Sequence, residues 1–282
     1  MKLGIIPINI GVQSLDEVVQ LAQLAESLGY ESVWTFEHVI VPVDYESKYP
    51  YDASGKMGAT PETNFIDPLI ALAAVAASTK TIRLGTGVNI LSQANPLYMA
   101  KQAASLDFVS SGRFMLGIGI GWLKEEFDAL GVPFARRGAR FDDYVEAMRK
   151  VWSGDVVEHE SDFISWHGFK SYPLPVQNPL PLVMGGVKGK IFERIAKHGN
   201  GWYAPAGDPA EIKGHLENLR KACDAIGRDM SEIEITCMWP GIGGKAFLDQ
   251  LEEAGVHRAV IMLTAGPELV EHLTSIAKEV IT

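Results

Sequence analysis

Eight short apolar segments, separated by stretches with helical periodicity, are the feature that most restricts how this chain of 282 residues can fold. The segments are rich in β-branched residues and bounded by turn formers, which is typical of buried strands. Strands without polar alternation are buried on both faces, and regular alternation with helices favours parallel pairing. The segments are residues 3–8, 32–36, 81–88, 113–120, 180–184, 201–204, 232–238 and 258–263.

The segments between these strands carry helix start and stop signals. The first has an apolar stripe from Leu15 to Leu28, with Ser14 as a capping residue and Gly29 at its end. Further helices are predicted over residues 141–152, 191–198, 245–254 and 267–280. Three more helices are predicted to open with a capping side chain followed by proline, at Asp67-Pro68, Asn95-Pro96 and Asp208-Pro209.

Eight strand–helix units predict one α/β domain over residues 1–282, a closed (β/α)₈ TIM barrel. The competing fold is an open, doubly wound sheet, which usually carries a glycine fingerprint after its first strand. Here that turn reads Pro7-Ile8-Asn9-Ile10-Gly11 and lacks the fingerprint. Two long connections, residues 39–63 and 155–176, are predicted to be functional insertions, and the second has the pattern of a β-hairpin.

Composition and charge argue against several classes of partner. A formal net charge of −10 provides no basic field for a nucleic acid, so none is expected to bind. The longest apolar run, residues 69–77, is about half the length that spans a bilayer, so no membrane partner is expected. The first residues lack a signal-peptide pattern, which predicts a cytoplasmic location. Cys223 and Cys237 are expected to be buried thiols, and the histidine spacing predicts no metal site.

Candidate site residues follow the predicted strands, because barrels of this kind build their sites where the strands end. Glu37 and His38 come directly after the second strand. An acid beside an imidazole is suited to general acid–base chemistry, although the two side chains can also simply satisfy each other or a backbone group.

Three other strand ends are rich in glycine. A simple bulge, small-residue packing inside the barrel and a plain turn are the structural alternatives to ligand contact at these positions. Backbone amides exposed before a helix can hold a phosphate, and Lys188 would favour its charge. Together the strand ends predict a large, planar, phosphorylated ligand. The three segments are Gly85-Thr86-Gly87-Val88, Gly117-Ile118-Gly119-Ile120-Gly121 and Gly185-Gly186-Val187-Lys188.

Arginines and aromatic residues supply further candidates. The cluster Arg136-Arg137-Gly138-Ala139-Arg140 is expected either to contact a ligand anion or to form a solvated helix face paired with Asp142 and Asp143. Aromatic side chains can form the wall of an apolar substrate pocket or belong to the core. These aromatic residues are Trp122, Tyr45, Tyr49 and Tyr51.

From about residue 20 to residue 205 the sequence resembles the bacterial luciferase-like oxidoreductase superfamily, and within it the branch that uses the deazaflavin coenzyme F420. The likeness is carried in order along the chain by residues 25–34, Glu37-His38, Asp67-Pro68-Leu69, residues 82–88, Asn95-Pro96, Ala100-Lys101-Gln102, Leu106-Asp107, residues 111–114, residues 117–122, Glu125-Glu126-Phe127, Arg136-Arg137-Gly138, Gly185-Gly186 and residues 199–202.

The resemblance implies roles for several residues. His38 matches a rim histidine that transfers a proton or orients the substrate, and Glu37 stands where an aspartate usually contacts the polar edge of the ring. It also implies a cis peptide at Gly87-Val88, forming a bulge behind the ring. Gly185 and Gly186 match backbone that holds the cofactor phosphate, and the family forms mainly homodimers.

One departure from the resemblance bears on the substrate. Trp122 stands where sugar-phosphate dehydrogenases of the family carry an acidic proton donor, so an apolar or aromatic substrate is expected. The resulting hypothesis is hydride transfer between F420 and a small organic molecule. An FMN-dependent monooxygenase of the same superfamily and a flavin-binding protein without turnover remain as alternatives.

Overall fold

The chain folds into a closed ring of eight parallel strands, which confirms the predicted TIM barrel. The structure is a computed structural model that describes residues 1–205, 207–264, 266 and 268–281. The ring closes where the third barrel strand pairs with the fourth, and a two-residue strand, β4 (Asn89–Ile90), continues beside the fourth. The barrel strands are β1 (Lys2–Ile6), β2 (Ser32–Thr35), β3 (Arg83–Thr86), β5 (Phe114–Gly119), β8 (Leu182–Gly185), β9 (Gly201–Ala204), β10 (Glu234–Trp239) and β11 (Arg258–Met262).

The helices of the described chain pack around this ring, and their predicted caps are confirmed. Ser14 accepts a hydrogen bond from a first-turn amide, and Asp67, Asn95 and Asp208 each accept two. The predicted start of the last helix at Pro267 lies outside the described residues. The helices are α1 (Leu15–Ser27), α2 (Pro68–Ser78), α3 (Pro96–Val109), α4 (Lys124–Ala129), α5 (Arg137–Val151), α6 (Ile191–His198), α7 (Pro209–Asp224), α8 (Gly244–Glu253) and α9 (Leu269–Val280).

The third predicted strand is interrupted in the structure. Instead of running from residue 81 to 88, β3 ends at Thr86, and the expected cis peptide follows at Gly87-Val88. The Thr86 hydroxyl donates to the Gly117 carbonyl and accepts from the Gly117 amide, both at 2.8 Å. A side chain therefore takes the place of the backbone ladder here, which ends the strand before the bulge.

The second insertion is the predicted β-hairpin, formed by β6 (Val157–Glu160) and β7 (Ser165–Phe169). It is tied to α5 by Asp143, which lies 2.9 Å from His159 Nε2 and accepts from the Ser161 hydroxyl. Because Ser161 bonds the aspartate rather than the imidazole, this group fastens the hairpin and does not form a nucleophilic triad.

The amino-terminal end of the barrel is closed by a buried arginine. Arg258 is 0% exposed and forms a two-bond ion pair with Glu31, with N···O distances of 2.7 and 2.8 Å. Its third donor reaches Glu234 at 2.6 Å and the Thr236 hydroxyl at 3.0 Å. Two carboxylates therefore balance the charge of this buried arginine. In the described part of the chain, no helix has the length and hydropathy to cross a bilayer.

Candidate active site

A cavity of about 740 Å³ opens at the carboxyl ends of the barrel strands. Strand ends from β2, β3, β5 and β8 reach it, and the insertion at residues 39–63 covers part of its mouth. The end of the barrel is the one that the sequence predicted. Of the candidate residues named from the sequence, those that line the cavity are Glu37, His38, Tyr49, Tyr51, Gly87, Val88, Gly119, Ile120, Gly121, Trp122, Arg137, Gly185, Gly186, Val187 and Lys188.

Val88 forms a platform in this cavity, directly after the cis peptide. A Cβ placed on Gly119 would come within 2.7 Å of Val88 Cγ2, and one on Gly185 within 3.0 Å of Val88 Cγ1. These glycines therefore make room for the Val88 side chain as well as lining the cavity. Two further glycines are explained by packing inside the barrel. Gly85 leaves space for the Trp34 side chain, and Gly117 leaves space for the Thr86 backbone.

Glu37 is half-buried at the edge of the platform. Its carboxyl group accepts from the Ile90 amide and, at 2.8 Å, from the Asn89 side chain. Burial raises the pKa of Glu37 to about 7, with a smaller contribution from the negative charges of Glu126 and Asp67, and the two hydrogen bonds oppose this rise. Near neutral pH this side chain can therefore hold or release a proton next to a ligand.

His38 is held by a residue that the sequence did not single out for the site. Its Nδ1 lies 3.0 Å from the Glu126 carboxylate, which is 1% exposed and belongs to α4. Of the alternatives to acid–base chemistry, a bond between Glu37 and His38 is therefore absent, whereas a bond to a backbone group is present for Glu37, which accepts from the Ile90 amide. The imidazole lines the cavity and is placed edge-on to Phe65 and Trp122.

Three aromatic side chains, Trp122, Tyr49 and Tyr51, form an aromatic wall of the cavity. Trp122 packs against Tyr49 with ring centroids 5.2 Å apart, and Tyr49 packs against Tyr51 at 5.4 Å. Tyr45 also contacts Trp122, at 5.9 Å, but it is absent from the cavity lining in the described residues. Its hydroxyl accepts from the Met57 amide at 2.9 Å, which holds it behind Trp122. The expectation that Tyr45 lines the pocket is therefore corrected to a supporting contact.

The expectation that the arginine cluster pairs with Asp142 and Asp143 is wrong, because Asp142 accepts from Arg194 and Asp143 bonds the hairpin. Arg136 pairs with Asp162 on the surface, and Arg140 donates to the carbonyls of Ser92 and Pro133. Arg137 is half-buried, donates from Nε to the Gly121 carbonyl at 3.1 Å and lines the cavity. The position of Arg137 is compatible with the ligand interpretation, whereas Arg140 is 4% exposed and therefore does not belong to a solvated helix face.

The predicted phosphate segment lies between β8 and α6. Gly186 has a φ of 123°, a backbone conformation that side chains rarely adopt, and its carbonyl accepts from Trp202 at 2.8 Å. No side chain caps the first turn of α6, so its amides remain open to an anion. Residues 185–188 thus combine exposed backbone, a helix start and Lys188 along one wall of the cavity.

Sequence reasoning missed Glu126 because it predicted no helix at α4. The adjacent pair Glu125-Glu126 was visible, but short helices have weak periodicity, and nothing in the pair indicates which carboxylate turns inward. Lys48 and Phe65 were also missed as cavity residues, since both come from the irregular loop after β2.

Comparison with known proteins identifies the relationship. The family model described as luciferase-like monooxygenase matches residues 5–261. The chain belongs to the luciferase-like monooxygenase family. Members of this family are enzymes that use F420 or FMN, so this luciferase-like chain is a flavin- or deazaflavin-dependent oxidoreductase or monooxygenase.

The names of proteins similar to this luciferase-like chain mention different cofactors. An uncharacterised protein of Mycobacterium tuberculosis is 32% identical over 209 residues, 74% of each chain. An FMNH₂-dependent dimethylsulfone monooxygenase of Pseudomonas putida is 26% identical over 92% of this chain and 66% of its own length. The F420-dependent tetrahydromethanopterin reductase of Methanopyrus kandleri superposes with a TM-score of 0.76 at 17% identity, covering 99% of this chain and 98% of its own, which shows a shared fold.

Proposed function

We propose that this protein uses coenzyme F420 to transfer a hydride to or from a small apolar or aromatic organic substrate. The observation that carries the proposal is the placement of His38 and the Val88 platform in one open cavity, with the Gly185–Lys188 backbone along another wall. A flat ring resting on Val88 would leave its other face toward the aromatic wall. The bound deazaflavin would supply the hydride chemistry, and the protein would supply positioning and a proton route.

The charges of the cavity favour a ligand with several anionic groups. Lys48, Arg137 and Lys188 line it, whereas Glu37 has a pKa of about 7 because burial disfavours its charge. This local excess of cations occurs in a chain whose formal net charge is −10. F420 carries a phosphate and a carboxylate-bearing tail, so it matches the lining better than a ligand with a single phosphate does.

The proposed proton route uses His38, whose Nε2 has no hydrogen-bond partner in the described part of the chain. The imidazole would exchange a proton with the substrate as the hydride moves. Glu37 would bond the polar edge of the ring, either as a carboxylate or as a carboxylic acid. Trp122 and Tyr49 would confine an apolar or aromatic substrate above the ring.

FMN is the second candidate cofactor, favoured by the Pseudomonas putida relative, whose similarity covers 92% of this chain. FMN shares the tricyclic ring shape and a phosphate, so the platform and residues 185–188 can serve it as well. The protein would then act as a monooxygenase on reduced FMN and oxygen.

Titration of the purified protein with each oxidised cofactor tests the proposal. We expect F420 to bind at least about tenfold more tightly than FMN, measured by the change in cofactor fluorescence. Tight FMN binding, with oxygen consumption when reduced FMN is supplied, would replace the proposal with the second candidate. Binding of either cofactor without turnover of any organic substrate would indicate a flavin-binding protein.

We also propose that the protein pairs with a second copy through α2 and the adjoining part of α3. α2 contains no charged residue, and Ile70, Ala73 and Ala77 form an exposed apolar stripe along it. Ile70 is 65% exposed, and Tyr98 on α3 is 73% exposed. An exposed apolar patch of this kind suits a twofold dimer, in which the same surface of each copy is buried against the other.

Sedimentation equilibrium tests this pairing. Wild type is expected to have twice the chain mass of 30.7 kDa, whereas a variant with Ile70→Glu and Tyr98→Glu should sediment at 30.7 kDa because two charges would be buried without partners. A wild-type monomer, or a double variant that stays dimeric, would contradict this interface.

A further inference from the structure

The buried carboxylate of Glu126 makes two kinds of contact, one through each of its oxygens. Oε2 lies 3.0 Å from His38 Nδ1. Oε1 accepts from the Val39 amide at 2.5 Å and from the Ile40 amide at 3.3 Å. The residue is 1% exposed, so these contacts are made away from solvent. They join α4 to the imidazole and to the first residues of the insertion that covers the cavity.

We infer that Glu126 is a positioning residue that fixes the tautomer of His38 and presents Nε2 to the cavity as a proton acceptor. A carboxylate can only accept hydrogen bonds, so the hydrogen of the neutral imidazole must be on Nδ1. Nε2 then carries a lone pair, and within the described residues it bonds no protein group. The tautomer itself does not depend on the proposed function. Only the role of Nε2 in the reaction rests on that proposal.

The same carboxylate also orients the ring. Phe65 and Trp122 meet the imidazole edge-on, with centroids 5.6 and 6.1 Å away, and restrict it from two sides. The bonds to Val39 and Ile40 fix the backbone that follows His38. Glu126 therefore sets the position, the rotation and the protonation pattern of one side chain at once, as an aspartate does in a catalytic triad.

The neighbouring Glu125 provides a matched comparison. It belongs to the same helix and accepts from the amides of Glu46 at 2.7 Å and Ser47 at 3.1 Å, in the same insertion. It makes no contact with His38 in the described chain. Glu125 thus fastens the insertion without affecting the imidazole, and a variant there separates loop anchoring from control of the tautomer.

Glu126→Gln changes the tautomer for a specific reason. The amide oxygen must keep the place that accepts from Val39 and Ile40, because an NH₂ group cannot accept. The NH₂ group then faces Nδ1 and donates to it, which forces the imidazole hydrogen onto Nε2. The insertion stays anchored, while the lone pair in the cavity is replaced by an N–H.

Long-range ¹H–¹⁵N NMR of ¹⁵N-histidine protein without cofactor tests this inference, with the His38 signals assigned by their loss in His38→Ala. We expect the Nδ1–H tautomer in wild type and in Glu125→Gln, and the Nε2–H tautomer in Glu126→Gln. An Nε2–H tautomer in wild type would overturn the inference, even if Glu126→Gln failed to fold. An unchanged tautomer in a folded Glu126→Gln would also overturn it.

Turnover gives a second readout once the cofactor titration has identified a bound cofactor. Glu126→Gln should lower kcat by about 10²-fold or more and leave the dissociation constant of the cofactor near the wild-type value. Equal losses in Glu125→Gln and Glu126→Gln would show loop anchoring alone and refute the tautomer role. Failure of both cofactors to bind wild type would refute the proposed function and leave the NMR result to stand by itself.

Discussion

His38→Ala is expected to lower kcat by about 10²- to 10⁴-fold, the usual contribution of a positioned acid–base group. The imidazole lines the cavity beside Trp122 and has one free nitrogen in the described structure, so its loss removes the proposed proton route. Cofactor affinity should change little, because the platform at Val88 and the backbone at residues 185–188 remain. Stopped-flow measurement of hydride transfer and a cofactor titration check the two parts.

His167→Ala serves as the control for that experiment. This imidazole is on the hairpin with its side chain 70% exposed, so its removal should leave both measurements at their wild-type values. Wild-type turnover in His38→Ala would remove the catalytic assignment of His38. Loss of cofactor binding in that variant would instead assign the residue to binding.

Arg258→Met is expected to reduce the free energy of unfolding by about 3 to 5 kcal/mol, the usual cost of removing one partner from a buried ion pair. The arginine is 0% exposed and joins Glu31 and Glu234, so the variant leaves two largely buried carboxylates without their main partner. Urea denaturation at pH 7 measures the loss. Lys2→Met is the control, since this half-exposed lysine pairs with Glu234 at the surface and should cost at most about 1 kcal/mol.

The same ion pairs predict how the free energy of unfolding changes as the pH falls. Burial alone would raise the pKa values of Glu31 and Glu234, but the hydrogen bonds and charge of Arg258, joined at Glu234 by those of Lys2, outweigh it and lower both pKa values. Lowered values mean that the ion pairs stabilise the fold above the unfolded carboxyl pKa of about 4.3, and that this stability is lost as the pH falls through the folded values.

Without Arg258, burial dominates and the two pKa values should rise, so the deficit of the variant relative to wild type should shrink on acidification. Urea denaturation at pH 7 and at about pH 4 compares the two proteins. A deficit that is constant with pH would contradict the ion-pair explanation.

The sequence predicted most of the fold because periodicity and caps are local. The stripe of α1 and the proline-opened starts of α2, α3 and α7 depend on neighbouring residues alone, and all four helices form as predicted. The third strand was predicted too long because Thr86 bonds Gly117, a residue that is distant along the chain.

The same reasoning predicted only part of the candidate site. Residues at strand ends, such as His38, Val88 and Gly185, were predicted because a barrel places all its strand ends at one mouth. Tyr45 was assigned to the lining because it lies in the same insertion as Tyr49, and the sequence does not distinguish which of the two faces the cavity. Only the packing shows that one of them is behind Trp122 while Tyr49 faces the cavity.

By itself, the sequence determined the order of the eight barrel strands and of most helices, their closure into a barrel and the end at which the cavity opens, because these follow from short-range patterns and one rule of topology. The tertiary structure decided which partner each polar group took. Glu126 reaches His38 across 88 positions of sequence, and Glu37 turns instead to Asn89 and Ile90. Hydrogen bonds depend on distances of about 3 Å between groups that only the folded backbone brings together, and residue types along the chain do not encode such distances.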